Sequence, residues 1–291
     1  MYTNVIGNRP KETIKSEQEV TIMSILEIKM RSGVMMRPME FAMFLPDDQA
    51  FNFSAQNNPC YDRPMKTLII LHGYTVDNYE WMSYSTPYEL ALRYNLAVVI
   101  PSTDSSFYLD RPGTGNKVGS FVGKELIEYL RRTFGLAKTP EDTIISGYSM
   151  GGFGAIHTAL AYPETFGCAL GLSSALIVYD IAGMKPGIQQ EGVLADYDYY
   201  REVFGDLDKV TESENNPEVL VSKLLAEGKK IPRLYMTCGD NDFLLQTNKR
   251  FLAFLEEKKV PVTFVPGEGV HDFVFWNKAI GPAVEWALGG K

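Results

Sequence analysis

The chain has 291 residues, 45% hydrophobic and 22% charged, with a formal net charge of −8. That length can bury a substantial core, and the apolar-to-charged balance excludes disordered, collagenous and fibrous classes. The acidic excess, with no cluster of lysines and arginines, excludes a nucleic-acid surface, which needs a basic patch.

The opening "MYTNVIGNRPKETIKSEQEV" is polar and has no apolar core of signal-peptide length, so residues 1–20 are predicted as an N-terminal extension. Cys60, Cys168 and Cys238 are too few and too scattered for a disulfide framework and suggest reduced thiols in a cytoplasmic protein, or a secreted one had a leader been removed. "TIMSILEIKM" and "PMEFAMFLP" predict two strands joined in a hairpin through Ser32-Gly33. "DDQAFNFSAQNNPCYDRP" reads as a surface loop; its N-F-S tripeptide at Asn52 fits a glycosylation acceptor, a pattern too common by chance to carry weight.

The pattern then changes. "KTLIILHG", "NLAVVIP", "DTIISGY", "CALGLSS", "RLYMTCG" and "PVTFVPG" are short apolar runs without alternation, as expected of strands buried on both faces. Helix-like segments lie among them: "PYELALRY", "SFVGKELIEYLRRTF", "MGGFGAIHTALAY", "LLQTNKRFLAFLEEKK" and "FVFWNKAIGPAVEWAL", where Pro282 is expected to kink or split the helix. Alternating strand and helix predict an α/β fold, a mostly parallel sheet with helices on both faces, as a single domain over residues 21–291. The longest apolar stretch, "CALGLSSALIVY", is too short to span a bilayer, so no membrane partner is expected. Residues 175–231 separate two strands by more than a crossover helix needs. They are either a surface insertion with a solvated charged face or a cap over the strand ends, and position favours the cap.

Chemistry concentrates at "SGYSMGGFGAI". Gly147-Tyr148-Ser149-Met150-Gly151 fits G-x-S-x-G, a sharp strand-to-helix turn that holds the serine in a strained conformation at the sheet edge. Of three histidines, His157 lies eight residues beyond Ser149 on the same helix, about 12 Å away. His72 ends a strand and suits loop shaping; a metal pairing with Asp77 lacks a third ligand. His271, in a loop after the last strand, is left as the base. The acid should lie between serine and histidine, in "RLYMTCGDNDFLL", where spacing leaves Asp240 and Asp242 open. The N–H groups of Met150 and Tyr74 are candidate oxyanion donors, with Gly73 allowing close approach to an ester. "RPGTGNKVG" lacks the ending of a P-loop and the third glycine of G-x-G-x-x-G, and reads as a flexible loop near the site.

Together these residues resemble the esterase D-like branch of the α/β-hydrolases, which includes short-chain acyl (tributyrin) esterases, feruloyl esterases, S-formylglutathione hydrolases and mycolyltransferases. The resemblance runs from about Ser24 to the C-terminus and rests on "LIILHGYTVDNYEW", "AVVIPSTDSSFYLD", "GYSMGGFGAIHTALAYPETF", "CGDNDFLL" and "GVHDFVFW". It implies the α/β-hydrolase fold, a triad of Ser149, Asp242 and His271, oxyanion donors Tyr74 and Met150, and a cap over residues 175–231. Asp242 is implied because the family reads Cys-Gly-any-any-Asp there. S-formylglutathione hydrolases differ where this chain has "LHG", Tyr148 and Phe153, so the likeness is greater to the short-chain acyl and feruloyl esterases. Residues 1–20 have no counterpart.

The expected activity is a cofactor-free, metal-free serine carboxylesterase acting on a small-molecule ester. Trp81, Tyr108, Tyr199 and Tyr200 either wall its pocket, which would suit a feruloyl-type acyl group, or pack the core. An acyltransferase with the same triad and a non-catalytic binding module are the alternatives; an intact serine, aspartate and histidine set argues against the second. A homo-oligomer is compatible with all three.

Overall fold

The computed structural model describes residues 24–46, 57–111, 113–188, 190 and 192–289. The extension over residues 1–20 and the tripeptide at Asn52 lie outside the described residues.

Strands β1 (Ser24–Arg31) and β2 (Pro38–Leu45) form the hairpin, antiparallel, with Ser24 opposite Leu45. The Glu125 carboxylate accepts from the Gly33 N–H at 2.7 Å and pins the hairpin loop. The apolar runs become β3 (Lys66–Leu71), β4 (Leu96–Ser102), β5 (Thr143–Tyr148), β6 (Cys168–Leu172), β7 (Arg233–Gly239) and β8 (Val262–Gly267). The eight strands lie in the order β1-β2-β4-β3-β5-β6-β7-β8. β2 meets β4 antiparallel, and the pairs from β4 to β8 are all parallel.

The helices follow as α1 (Asn78–Tyr84), α2 (Pro87–Tyr94) and α3 (Val118–Ser120), which continues through a π turn (Phe121–Glu125) into α4 (Leu126–Phe134). After them come α5 (Met150–Ala161), α6 (Val178–Ile181), α7 (Tyr197–Phe204), α8 (Pro217–Ala226), α9 (Leu245–Glu257) and α10 (Phe273–Ala287). The central strands bury both faces, which is why their sequences do not alternate. Ile69 and Leu71 face a core shared with α4, α5 and α9; Leu68 and Ile70 face a second core shared with α1, α2 and α10.

Three expectations change. α1 was not foreseen: its seven residues bury only Trp81, and Asp77 starts it by accepting from the Tyr79 N–H at 2.8 Å. α10 is one helix rather than two, because Pro282 lies on its exposed side, where water can bond the carbonyl freed one turn back. "RPGTGNKVG" is pinned rather than free, by a bridge between Asp110 and Lys117 and by the Arg111 N–H to the Asn116 carbonyl at 2.9 Å.

Residues 175–231 are more deeply built in than a surface insertion. Val178, Ile181, Tyr200, Val203, Phe204, Leu220, Val221 and Leu224 all join the core on the α5 side.

Candidate active site

Ser149 stands between β5 and α5 with φ 56° and ψ −119°, a left-handed conformation that costs a residue with a side chain about 1–3 kcal/mol. The surroundings enforce it. The Ser149 N–H donates to the Leu172 carbonyl at 2.9 Å, and its own carbonyl accepts from Phe153 at 3.0 Å and Ala175 at 2.9 Å. A Cβ at Gly147 would lie 2.4 Å from the Gly151 backbone, and one at Gly151 would lie 2.4 Å from the Leu71 carbonyl oxygen. Only glycine lets the turn close on itself and on β3.

Two further loops converge on the serine. The turn after β7 carries Asp242, whose Oδ2 lies 2.9 Å from His271 Nδ1 and whose Oδ1 accepts from the Leu244 N–H at 2.9 Å. The loop after β8 brings His271 Nε2 to 3.0 Å from Ser149 Oγ. An ionised carboxylate only accepts, so Nδ1 carries the proton and Nε2 is left to accept from the serine hydroxyl. Asp240 sits elsewhere: its Oδ1 accepts from the Gly269 N–H at 3.1 Å and ties the aspartate turn to the histidine loop. Burial alone would push the Asp242 carboxyl up. Hydrogen bonds from His271 and the Leu244 N–H, with the nearby imidazole and Ser173, outweigh burial and hold it below its ordinary range. Ser173, itself left-handed at φ 45°, accepts from the Trp276 indole N–H at 3.1 Å.

Met150 and Tyr74 line one cavity with Ser149. Met150 opens α5, so its N–H is among the helix's unpaired first-turn donors, at the positive end of the dipole. Tyr74 is braced from outside: its ring packs edge-on against Tyr199 at 5.3 Å, and the Tyr199 hydroxyl donates to the Ser105 carbonyl at 2.8 Å. His72 shapes this loop. Its Nδ1 meets the Gly73 carbonyl at 2.9 Å and its Nε2 accepts from the Thr103 N–H at 3.1 Å, so both nitrogens are occupied. Burial lowers the His72 pKa and keeps the ring neutral. Gly73 answers to packing: a Cβ there would lie 2.5 Å from the Tyr148 ring.

The serine has a different space on either side. One is an apolar cavity of about 30 Å³ whose lining includes Phe107, Ala175, Ile177, Val193, Leu194 and Tyr200. At roughly 10–15 Å³ per water by this measure, it holds about two waters or one small acyl group. The other is an open cleft of about 540 Å³ reaching His271, Glu80, Tyr84, Tyr148, Phe273 and Trp276. Burial, and then Asp77, raise the Glu80 carboxyl above its ordinary range.

Of the four aromatic residues considered for the pocket wall, only Tyr200 lines the small cavity. Trp81 and Tyr108 are fully buried, their polar atoms donating to the Leu71 and His72 carbonyls at 3.0 Å each, and Tyr199 stands behind Tyr74. "RPGTGNKVG" contributes to neither lining among the described residues. Residues missed from the sequence include Phe107, Leu194 and Phe243. Phe243 carried a usable signal, since it follows Asp242 directly; its ring lies 4.6 Å from His271 and is 58% exposed.

His157 is buried beside Phe153, with Nε2 donating to the Glu214 carbonyl at 2.9 Å, and burial pulls its pKa to about 4. Among the described residues no group of three His, Cys, Asp or Glu side chains is placed to hold a metal, and no helix is long and apolar enough to cross a membrane.

Residues 32–286 match the family described as Putative esterase. An acetyl esterase of Caldicellulosiruptor saccharolyticus is 43% identical over 222 residues, which is 76% of this chain and 83% of that protein. Two solved structures from Staphylococcus aureus are also similar. Fluorophosphonate-binding serine hydrolase F (FphF), substrate bound, is 31% identical with a TM-score of 0.77, covering 91% of this chain and 98% of that one. The S-formylglutathione hydrolase FrmB apoenzyme is 30% identical with a TM-score of 0.76, covering 92% of this chain and 100% of that one.

Proposed function

From the premise that this chain belongs to the esterase family and has the α/β-hydrolase fold, we propose that it is a serine carboxylesterase for short acyl groups, acetyl first, working through an acyl-enzyme. One observation carries the reading: the run of hydrogen bonds from Asp242 through His271 to Ser149 ends at the mouth of an apolar cavity of about 30 Å³.

Ser149 Oγ attacks the ester carbonyl carbon while His271 Nε2 takes its proton. The carbonyl oxygen becomes an oxyanion and is received by the N–H groups of Met150 and Tyr74. Asp242 fixes the imidazole tautomer and stabilises the imidazolium. As the intermediate collapses, the bond to the leaving oxygen breaks and His271 hands that oxygen the proton. Water then attacks the acyl-serine with His271 again as base, releasing the carboxylic acid and restoring Ser149. Every group used belongs to the chain, so the reading calls for no cofactor. The acyl group occupies the small cavity and the alcohol the wide cleft. A feruloyl group is larger than the cavity as it stands, which favours acetyl over aryl esters. Residues 175–231 wall the cavity with side chains from both ends of their first half, among them Ala175, Ile177, Leu194 and Tyr200.

The test is hydrolysis of p-nitrophenyl esters from acetate to octanoate, with ferulate, by wild type and Ser149→Ala. Wild-type turnover should fall by on the order of 10⁶ in the variant, as removal of a triad serine does elsewhere. Activity that survives the substitution would sink the assignment. Repeating the assay with an added alcohol acceptor separates hydrolysis from acyl transfer.

A further inference from the structure

One side chain stands where three spaces meet. Leu194 lines the small cavity behind Ser149, the open cleft in front of it, and an outer groove of about 450 Å³ of mixed character, where Met184, Ile188 and Val193 stand beside Gln190, Asp196 and Asp198. Val193 lines both the small cavity and the groove. The wall between the acyl site and a space many times larger therefore includes side chains that touch both sides.

This wall is lightly held. Leu194 is 70% exposed, whereas Ala175, Ile177 and Tyr200 are at most 7% exposed; Phe243, which the cavity shares with the cleft, is exposed at 58%. Gly187 (φ 74°) and Gly192 (φ 83°) both adopt left-handed backbone, and a Cβ built on either meets no atom within 4 Å. Deep core packing sets the floor and far walls of the cavity, while the wall toward the groove is a strip of chain at the surface.

We propose that Leu194, seconded by Val193, is the partition that sets the longest acyl group this enzyme accepts, and that an acyl chain beyond the cavity's reach enters the outer groove only when this partition is shortened. The proposal rests on the esterase reading above. Acyl chains are the chemistry that fits, because the route leads from the carbonyl carbon at Ser149 past Val193 and Leu194 to the Met184 and Ile188 side of the groove, and the polar side chains Gln190, Asp196 and Asp198 limit how far an apolar chain extends beyond it. Shortening Leu194 to its Cβ joins the cavity to the groove, so a longer acyl chain leaves water for contacts with Val193, Met184 and Ile188.

The experiment compares kcat/KM for p-nitrophenyl acetate, butanoate, hexanoate and octanoate in wild type, Leu194→Ala, Val193→Ala and Leu194→Trp. Circular dichroism and the rate of labelling by a fluorophosphonate probe monitor folding and the serine. The octanoate-to-acetate ratio should rise about tenfold or more in Leu194→Ala, the discrimination a few apolar atoms typically provide. It should rise less in Val193→Ala and fall in Leu194→Trp. A ratio unchanged within about twofold in both alanine variants, with labelling intact, overturns the partition and leaves the esterase reading standing. A wild type that neither hydrolyses the esters nor reacts with the probe overturns both.

Discussion

The two spaces beside Ser149 share Tyr74, Leu194 and Phe243 but are otherwise built from different parts of the molecule. The small cavity, the proposed acyl site, draws mostly on the core: Phe107, Ala175, Ile177 and Tyr200 belong to the same apolar cluster as α4, α5 and α9, and with Leu194 and Phe243 at its mouth they leave about 30 Å³. The wide cleft, the proposed leaving-group site, is walled by buried Tyr148 and Trp276 but also by exposed side chains, with Tyr84 at the end of α1 65% exposed, and opens to about 540 Å³. Packed side chains cannot yield without strain, whereas exposed aromatic residues can turn to suit a ligand. Selectivity should thus be sharp for the acyl group wherever the core forms its wall, loosened only at Leu194, and tolerant for the alcohol. In this fold it follows from which residues are also needed to hold the sheet together.

Variants can test that division, and the largest effects lie where the two spaces meet. Asp242→Asn should lower kcat by on the order of 10⁴ for every ester alike, since the wrong imidazole tautomer faces the serine whichever space is filled. A loss confined to one acyl length would break the division. Because the Asp242 carboxyl is held below its usual range, it stays ionised through the neutral region, and the stability it confers should be lost only as pH falls through that lowered pKa.

A smaller effect is expected in the cleft. Tyr84 touches Phe273 at 5.6 Å and reaches no part of the acyl cavity. Tyr84→Ala should raise KM roughly fivefold for acetates of bulky aryl alcohols, the scale of one aromatic contact, with ethyl acetate little changed. An altered acyl-length profile in this variant would mean that the two spaces are coupled.

The smallest effect lies away from both. His157 ordinarily titrates near 6.5, and burial takes it to about 4 in the folded chain. Between those values the unfolded chain binds the extra proton, so stability falls as pH drops from the higher value toward the lower. Urea midpoints at about pH 5 and about pH 8 should differ less in His157→Gln than in wild type, while the relative rates on different esters stay the same. An equal pH difference in both proteins would remove His157 as a source of the acid sensitivity.

Much of this was legible in the chain, for identifiable reasons. Unalternating runs such as "TLIIL" announce strands covered on both faces, because each successive side chain must find a core of its own. Gly147 and Gly151 announce the turn at Ser149, because a Cβ at either would collide with backbone. Three histidines, one of them after the last strand, narrowed the candidate base to His271 before any distance was known. Local rules of spacing and sterics carry this information, and a sequence records them directly. Depth is different. Trp81, Tyr108, Tyr199 and Tyr200 look alike as aromatic residues near motif loops, yet one lines the cavity, one braces Tyr74 and two lie in the core. Asp240 and Asp242 differ by one turn of a loop, and only the crossing of the β7 and β8 loops gives one the imidazole and the other a backbone amide. Leu194 carries no motif at all. Its place at the meeting of three spaces depends on where residues 175–231 come to rest, and that is decided by packing between residues far apart in the chain.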